Sequence, residues 1–346
     1  MPERDVVPAD ADEVLSGGGL PRWLAVLAVV AVVAAATGYL VMHSGGSAHK
    51  APTPTRSRQA YGAAEAFDVA GGSSDTWVLS GRRLSYVSAR RVVRSVALGE
   101  LNVSVGSRPR LAVDRQAKTV WVVVANATPS RMLEFNAATL RKVRTVTWTS
   151  PVAGAVAYRG HLYLSSDVGV ADLRPRARQP QVIAGLGGAV GPIALDPARH
   201  RLIAIDLGYP TDVWAFWPGR RPVEAVATLP FGQGSVAVAD GRIWVGGFGA
   251  HSAVLERLDP ATLAPVAHAE ATQFGRGVAI IAGGARAVWV LPGDRSGPLA
   301  CISAETGQTQ QRWDLPAINA VASDSSGALV ATRSGVLGLI LSRCAG

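Results

Sequence analysis

The side chains of this sequence that could carry acid–base or metal chemistry are few and widely spaced. Of six histidines, only His251 falls in a segment that could also hold the carboxylates of Asp206, Asp212 and Asp294. A hard divalent cation needs several oxygen ligands held together. A catalytic triad needs a nucleophile, a base and an orienting group within hydrogen-bond reach. The sequence therefore predicts no metal site, no cofactor and no catalytic residue.

Basic side chains are more numerous, and the formal net charge of the chain is +9. Many of the arginines recur in turns that occupy equivalent places along the chain. These residues, called the basic rim below, are Arg90, Arg91, Arg94, Arg141, Arg144, Arg174, Arg176, Arg178, Arg220 and Arg221. They are either ordinary solvated surface or a contact for acidic lipid head groups or phosphate-bearing wall polymers. No nucleic-acid module with interleaved aromatic residues is visible, which disfavours a nucleic-acid partner.

Two cysteines, Cys301 and Cys344, are too few for a disulfide framework or a zinc knuckle. Two interpretations stay open. The two residues form one disulfide outside the cytoplasm, or one is a buried strand residue and the other a free thiol.

The N-terminal part of the sequence predicts a membrane anchor. After a short tail (1–22), residues 23–42 are uncharged and mostly apolar, and a helix of that length spans about 30 Å, one hydrocarbon core. A cleaved signal peptide is disfavoured, because the tail is acidic and the apolar run is longer than a usual signal core. Residues 43–61 read as a flexible tether. Basic residues on the two sides do not decide the orientation, and an anchor this near the N-terminus favours an extracytoplasmic C-terminal domain.

One short strand pattern repeats through the rest of the chain. A turn precedes an apolar pair whose second member is a large side chain, and the copies lie 40 to 45 residues apart. The seven repeat positions are Trp77, Trp121, Tyr163, Ile203, Trp244, Trp289 and Val330. Each Trp is expected to pack between neighbouring repeats rather than to stack on a ligand.

Each repeat contains four short strand patterns separated by turn residues, with no helical spacing. Four strands in about 40 to 45 residues are typical of a β-propeller blade. The seventh repeat stops after three strands, so a segment near 59–62 is expected to close the ring. The prediction is an all-β, seven-bladed propeller of four-stranded antiparallel blades over residues 62–346, preceded by one transmembrane helix.

The turns FNAATLRKV, LDPATLAPV and ISAETGQTQ, together with the VWV second strands, resemble those of YVTN-type, surface-layer-like bacterial β-propellers. The resemblance covers about residues 62–346 and is carried by structural motifs. It departs from the family pattern in the third, fourth and seventh repeats. It implies a propeller fold and an extracytoplasmic, non-catalytic protein.

In a propeller, the loops from second to third strands and from blade to blade share one face, where ligands usually bind. The polar and aromatic residues expected on this candidate face are Asn126, Asp206, Tyr209, Asp212, Gln233, His251, Gln273, Arg276, Asp294 and Arg295. Trp214 and Trp217 alternate along one strand, so one of them is expected to be more exposed.

The predicted function is a non-catalytic binding or scaffolding module for protein or cell-envelope partners. The alternative is a metal-assisted lactonase or lyase.

Overall fold

The computed structural model describes residues 58–61, 65–71, 75–88, 91–99, 108–186, 188–218, 225–249, 252–269, 277–293, 297–315, 317–323 and 327–340. The predicted anchor at 23–42 lies outside this part of the chain. No described segment forms a helix of the length and hydrophobicity needed to cross a bilayer. The anchor therefore stays a prediction.

The described residues form short β-strands, arranged in blades of four. Strand β1 is Arg58–Tyr61. Blade 1 contains β2 (Ala66–Gly71), β3 (Asp75–Ser80), β4 (Arg83–Ser88) and β5 (Arg91–Ala97). Blade 2 contains β6 (Arg108–Asp114), β7 (Thr119–Ala125), β8 (Ser130–Asn136) and β9 (Lys142–Trp148). Blade 3 contains β10 (Val152–Tyr158), β11 (His161–Ser166), β12 (Gly169–Leu173) and β13 (Gln181–Ala184).

The remaining four blades continue the same order. Blade 4 contains β14 (Val190–Asp196), β15 (Arg201–Asp206), β16 (Thr211–Phe216) and β17 (Ala225–Leu229). Blade 5 contains β18 (Gly232–Ala239), β19 (Arg242–Phe248), β20 (Ala253–Leu258) and β21 (Pro265–Ala269). Blade 6 contains β22 (Val278–Gly283), β23 (Ala287–Pro292), β24 (Leu299–Ser303) and β25 (Thr309–Trp313). Blade 7 contains β26 (Ile318–Ser323), β27 (Gly327–Thr332) and β28 (Gly335–Ile340).

The seven four-stranded antiparallel sheets form a closed ring, which confirms the predicted seven-bladed propeller. Strand β1 pairs with β28 and is the fourth strand of blade 7, so the two ends of the described chain meet in one sheet. The first strands contact one another in sequence, and β26 contacts β2 to complete the circle. The closing strand lies where it was expected, at the end of the segment that the sequence assigns to the tether.

The hydrophobic core lies between the blades. Seven clusters of buried side chains are found among the described residues, and each joins two neighbouring blades, the seventh linking blade 7 to blade 1. Trp77, Trp121, Trp244 and Trp289 each pack into the cluster that their blade shares with the next one. Burial of so large a ring stabilises each junction by a few kcal/mol, on the order of 2–3.

The seventh repeat position is Leu329 and not Val330. In five of the other six blades the repeat residue lies opposite an alanine of the first strand, such as Ala70 opposite Trp77. In blade 7 the matching pair is Ala322 with Leu329. Since successive side chains of a strand point to opposite faces, Val330 packs toward blade 6 whereas Leu329 packs toward blade 1.

Each junction also has at least one hydrogen bond that involves a side chain. The donor and acceptor atoms from blade 1 round to blade 7 and back are Leu111 N to Asp68 Oδ2, Gly160 N to Asp114 Oδ2, Ser165 Oγ to Gly191 O, Arg201 Nη2 to Pro260 O, Ile281 N to Ser235 Oγ, Trp289 Nε1 to Ser323 Oγ, and Asn319 Nδ2 to Ala66 O. A buried polar group without a partner is costly. These bonds therefore fix how one blade docks on the next.

The turns that carry the family resemblance have a local cause. Asn136 Oδ1 and Asp259 Oδ1 accept hydrogen bonds from the amide groups of Thr139 and Thr262, 2.9 and 2.8 Å away. The residue after each Thr is a Leu with positive φ, 54° in one turn and 61° in the other. That conformation is unfavourable for Leu, but both side chains are buried between blades. Packing at the junctions between blades, called seams below, offsets the backbone strain of these two residues.

The outer edges of six blades are irregular in the same way. One residue of the fourth strand has no partner at a register shift, namely Ala60, Val93, Val143, Ile183, Val266 or Gln310. Val93, Val143 and Val266 are more than half exposed. Bulges of this kind disrupt a sheet edge and protect it from pairing with other chains. The exposed valines are therefore part of edge protection and do not indicate a docking surface.

Cys301 is fully buried in β24 and is disulfide-bonded. The only other cysteine of the sequence, Cys344, lies outside the described residues. Each of the two interpretations left open by the sequence is therefore right in one respect. Cys301 is a buried strand residue, and it forms a disulfide.

Two tryptophans at equivalent seams provide a matched test of the seam hydrogen bonds. Trp77 Nε1 donates to Ala137 O in blade 2 at 3.0 Å, whereas the buried Trp244 Nε1 has no hydrogen-bond partner. Trp77→Phe should therefore lower the free energy of unfolding by about 1 kcal/mol more than Trp244→Phe, or the melting temperature by about 2 °C more. Calorimetry of the two variants measures the difference. Equal losses, or a larger loss for Trp244→Phe, would contradict this role.

Candidate functional site

An exposed row of apolar side chains crosses the candidate face over blades 4, 5 and 6. Leu207 and Tyr209 lie in the loop between β15 and β16, and Phe248 ends β19. Their exposed fractions are 42%, 67% and 38%. These three residues are called the apolar strip below.

Glycines lie directly beneath the apolar strip. A Cβ atom built on Gly191 would be 2.6 Å from Leu207 Cδ2, and one built on Gly232 would be 3.2 Å from Tyr209 Cβ. A Cβ atom on Gly277 would be 2.3 Å from Phe248 Cδ1. Separations this short exclude any larger residue unless the ring moves. The glycines thus let each side chain rest flat on a neighbouring strand while its outer side faces solvent.

The strip is continuous from blade to blade. Gly232, under Tyr209, lies directly opposite Phe248 in the β18–β19 pair. Phe248 in turn covers Gly277 and Gly293 of blade 6. The backbone of the loop before β16 is also tied to blade 5, because Thr211 N donates to Phe231 O at 2.8 Å. The apolar strip is therefore held by the same inter-blade packing that forms the ring.

Two carboxylates flank this loop in the sequence, Asp206 at the end of β15 and Asp212 in β16. Asp206 Oδ1 accepts a hydrogen bond from the backbone amide of Asp212 at 3.0 Å, and Asp212 Oδ1 accepts one from the Thr228 hydroxyl at 2.6 Å. Burial raises the pKa of Asp206, the negative charge of Asp212 raises it further, and backbone amides of Asp212 and Gly208 oppose the shift. Asp206, Tyr209 and Asp212 thus lie at one second-to-third-strand connection of blade 4.

Of the other predicted residues of the candidate face, the described part of the chain contains Asn126 and Gln233. Asn126 is exposed in the loop between β7 and β8, two blades away, with φ of 58°. Gln233 lies in β18 beside Gly232. The remaining predicted members lie outside the described residues: His251, Gln273, Arg276, Asp294 and Arg295. Of the two tryptophans in blade 4, Trp214 is buried, and Trp217 is partly exposed with its Nε1 donating to Arg199 O.

The basic rim divides into exposed arginines and arginines that serve the fold. The exposed members are Arg91, Arg94, Arg141, Arg176 and Arg178. Arg174 is exposed but pairs with the buried Asp172. Three predicted members, Arg90, Arg220 and Arg221, lie outside the described residues.

Arg144 holds blade 2 to blade 3. Its Nε donates to Glu134 Oε2, its Nη1 donates to Ala177 O of the next blade, and its guanidinium carbon lies 5.1 Å from the centre of the Trp121 ring. A guanidinium with these contacts has little capacity left for an external anion. Arg144 thus belongs to the seam, although its place in the sequence matches the exposed arginines.

The described residues contain no cluster of three or more His, Cys, Asp or Glu side chains that could hold a metal ion. Carboxylates of this part of the chain that are buried have structural tasks instead. Asp68, for example, accepts the Leu111 amide across the junction of blades 1 and 2, and its burial raises its pKa.

No family model matches the chain, and no curated protein matches it either. Solved structures do align with the chain. A chain of the mitotic checkpoint complex aligns with a TM-score of 0.65 and 15% identity, covering 83% of this chain and 94% of that one. PorZ of Porphyromonas gingivalis, an essential surface component of the type-IX secretion system, aligns with a TM-score of 0.56 and 12% identity. The alignment covers 83% of this chain and 38% of PorZ. At these identities the likeness shows the propeller fold alone.

The apolar strip itself was not predicted, apart from Tyr209. The prediction was based on polar groups, and the Gly-rich segments between blades suggested an inert surface. The available signal was a large apolar residue in or beside a second-to-third-strand loop, combined with a glycine at the first strand of the next blade. Tyr209 with Gly232 and Phe248 with Gly277 meet this description, whereas Leu207 lies over Gly191 of its own blade.

Asp206 of the candidate site and Asp259 of the third-to-fourth-strand turn in blade 5 should have pKa values on opposite sides of the usual value of about 3.9. The pKa of Asp206 is raised by burial, so its contribution to stability is present at low pH and is lost as the pH rises through the folded pKa. Asp259 has a lowered pKa, because amides of Thr262 and Ala261 donate to it, and the sign of its contribution is reversed. Carbon-13 NMR of aspartate-labelled protein measures both pKa values. Asp212→Asn should lower the pKa of Asp206 and leave that of Asp259 unchanged. An Asp206 pKa at or below that of Asp259 would contradict the described loop.

Proposed function

We propose that this protein is a membrane-anchored, extracytoplasmic β-propeller that binds a protein partner through the apolar strip and has no catalytic role. The observation that carries the proposal is the exposure of Leu207, Tyr209 and Phe248 at the second-to-third-strand ends of the neighbouring blades 4 and 5. Exposed apolar groups that are contiguous mark interaction sites, whereas scattered ones do not.

The strip suits binding because it is already ordered. Its side chains rest on glycines, and its loop is bonded to the next blade at Thr211. A partner that docks there loses little free energy to fixing loops or rotamers. Tyr is also a frequent energetic centre of protein interfaces, since its ring is large and its hydroxyl remains polar.

The comparisons support this proposal only through the fold. One similar structure is a chain of a mitotic checkpoint complex, and another is a surface component of a secretion system. A propeller can therefore act within assemblies. The extension from those proteins to this chain belongs to the proposal, as does the YVTN-type resemblance of its turns.

The proposed location rests on two features. Residues 23–42 are long and apolar enough to anchor the chain, and Cys301 is disulfide-bonded. Structural disulfides persist in oxidising compartments and are rare in the cytosol. Both features favour a propeller outside the cytoplasm.

A second contact is proposed for the basic rim. The exposed arginines of the basic rim lie on and beside third-to-fourth-strand hairpins of blades 1 to 3, on the face opposite the apolar strip or at its outer edge. Each basic side chain close to an acidic bilayer surface contributes about 1 kcal/mol of attraction. We propose that this surface rests against acidic lipid head groups, which would direct the apolar strip away from the membrane.

Photocrosslinking tests the role of the apolar strip in cells. A benzophenone amino acid placed at position 209 or 248 keeps an aromatic ring there, while one at position 266, an exposed valine on the bulged outer strand β21, is the control. We expect a heterologous adduct, resolved on a denaturing gel and identified by mass spectrometry, from positions 209 and 248 but not from 266. Equal adducts from all three positions, or none from the strip, would refute the proposal.

Labelling of two exposed lysines tests the location and the lipid contact together. Lys118 lies in the first hairpin of blade 2, and Lys142 begins β9 within the basic rim. A membrane-impermeant amine reagent should modify both lysines in intact cells if the propeller is outside. The ratio of Lys142 modification in neutral nanodiscs to that in acidic nanodiscs should be at least about two, because acidic lipids cover the rim only in the latter. Labelling that requires cell lysis would overturn the location, and an unchanged ratio would overturn the lipid contact.

A further inference from the structure

We infer that the apolar strip, together with Asp206 and Asp212, binds a partner segment that presents an arginine or lysine next to apolar side chains. This inference rests on the proposed function and adds the chemistry of the partner. It is argued from the composition of the strip, from the charge beside it and from the position of the other charges of the chain.

The first argument is that Asp206 and Asp212, which flank Tyr209 in the sequence, form no ion pair with any described residue. None of the ion pairs formed within the described part of the chain includes Asp206 or Asp212. Backbone amides donate to Asp206 and the Thr228 hydroxyl donates to Asp212. Since an ionised carboxylate has about four acceptor positions, both side chains can accept further hydrogen bonds from a guanidinium or ammonium group.

The second argument concerns the surroundings of Asp206. Its side chain is partly withdrawn from water, and the only charged group that acts on it among the described residues is another carboxylate. A cation placed beside the pair would relieve this repulsion. In a partly desolvated site, a charge-assisted hydrogen bond is stronger than one in water.

The third argument is that Tyr209 favours the same partner. Its side chain is the most exposed of the strip, and its Cβ and Cδ2 atoms lie next to Gly232. Arginine stacks on tyrosine faces while its fork donates to a carboxylate in the same plane. Leu207 and Phe248 extend the surface on both sides for apolar side chains of the same segment.

The exposed arginines of the basic rim do not oppose this partner at the strip. They lie at or beside the opposite ends of the strands, and a strand of six residues separates the two ends by about 20 Å. The screening length at physiological ionic strength is about 8 Å. Among the described residues, Asp206 and Asp212 are the charged groups nearest in the chain to Leu207 and Tyr209.

Charge also argues against a second copy of the chain as the occupant of the strip. A symmetric dimer through the apolar strip would bring the two carboxylate pairs toward each other, which is unfavourable. An acidic segment would meet the same repulsion. A basic, apolar segment is the occupant that satisfies both the strip and the carboxylates.

The test uses the full chain in nanodiscs of neutral phosphatidylcholine and three fluorescent peptides. One peptide alternates arginine with leucine, the second has glutamine for every arginine, and the third has glutamate. Fluorescence anisotropy should give the order arginine, glutamine, glutamate, with the arginine peptide at least about tenfold tighter than the glutamine peptide. The double variant Asp206→Asn and Asp212→Asn should abolish this preference, while its amide oxygens keep the loop bonds. Asp167→Asn, an exposed aspartate on the same face in blade 3, is the control and should change nothing.

The outcomes separate the inference from the proposed function. If Tyr209→Ser weakens both the arginine and the glutamine peptide while these two bind equally to the native chain, the inference is wrong and the binding role of the strip stands. If neither Tyr209→Ser nor the double variant affects any peptide, or no peptide binds at 1 mM, both are wrong. Self-association that Tyr209→Ser abolishes would identify a second copy as the occupant and overturn the inference.

Discussion

The structure depends on the packing of each blade against the next. A large side chain from a second strand fills each seam, and at least one hydrogen bond involving a side chain fixes the docking angle. Ring closure gives every blade two neighbours, because β1 completes blade 7 and Asn319 donates to the Ala66 carbonyl of blade 1. No blade has a free inner face, and the conformational entropy of the long chain is offset by seven similar interfaces instead of one central core.

The candidate site follows from the same seams. Glycines at the edge of one blade leave room for rings from the blade before, so the apolar strip is assembled across three blades and not within a single loop. The scaffold holds apolar side chains at the surface that would otherwise collapse inward. Two neighbouring carboxylates then give that surface a charge. A binding function needs no further chemistry than this combination of rigidity, apolar area and sign of charge.

Much of the fold could be predicted because it repeats. Seven copies of one strand pattern specify the number of blades, and the incomplete last copy requires the closing strand found at Arg58–Tyr61. The position of Leu329 was missed by one residue, since Val330 is also apolar and only pairing with Ala322 distinguishes the two faces. The site was harder to predict, because Phe248 is near Gly277 through inter-blade packing that no local pattern records. For the same reason Arg144 could not be told from its exposed neighbours in sequence.

Hydrogen exchange in native membranes tests the central claim, that partner binding is concentrated on the apolar strip. Exchange is measured by mass spectrometry on the full chain in isolated native membranes and again after purification into neutral nanodiscs. The account predicts that partner removal increases exchange in residues 206–212 and 246–249, while the outer strands β9 and β21 exchange equally in both samples. Protection confined to the outer strands, with the strip unchanged, would contradict it.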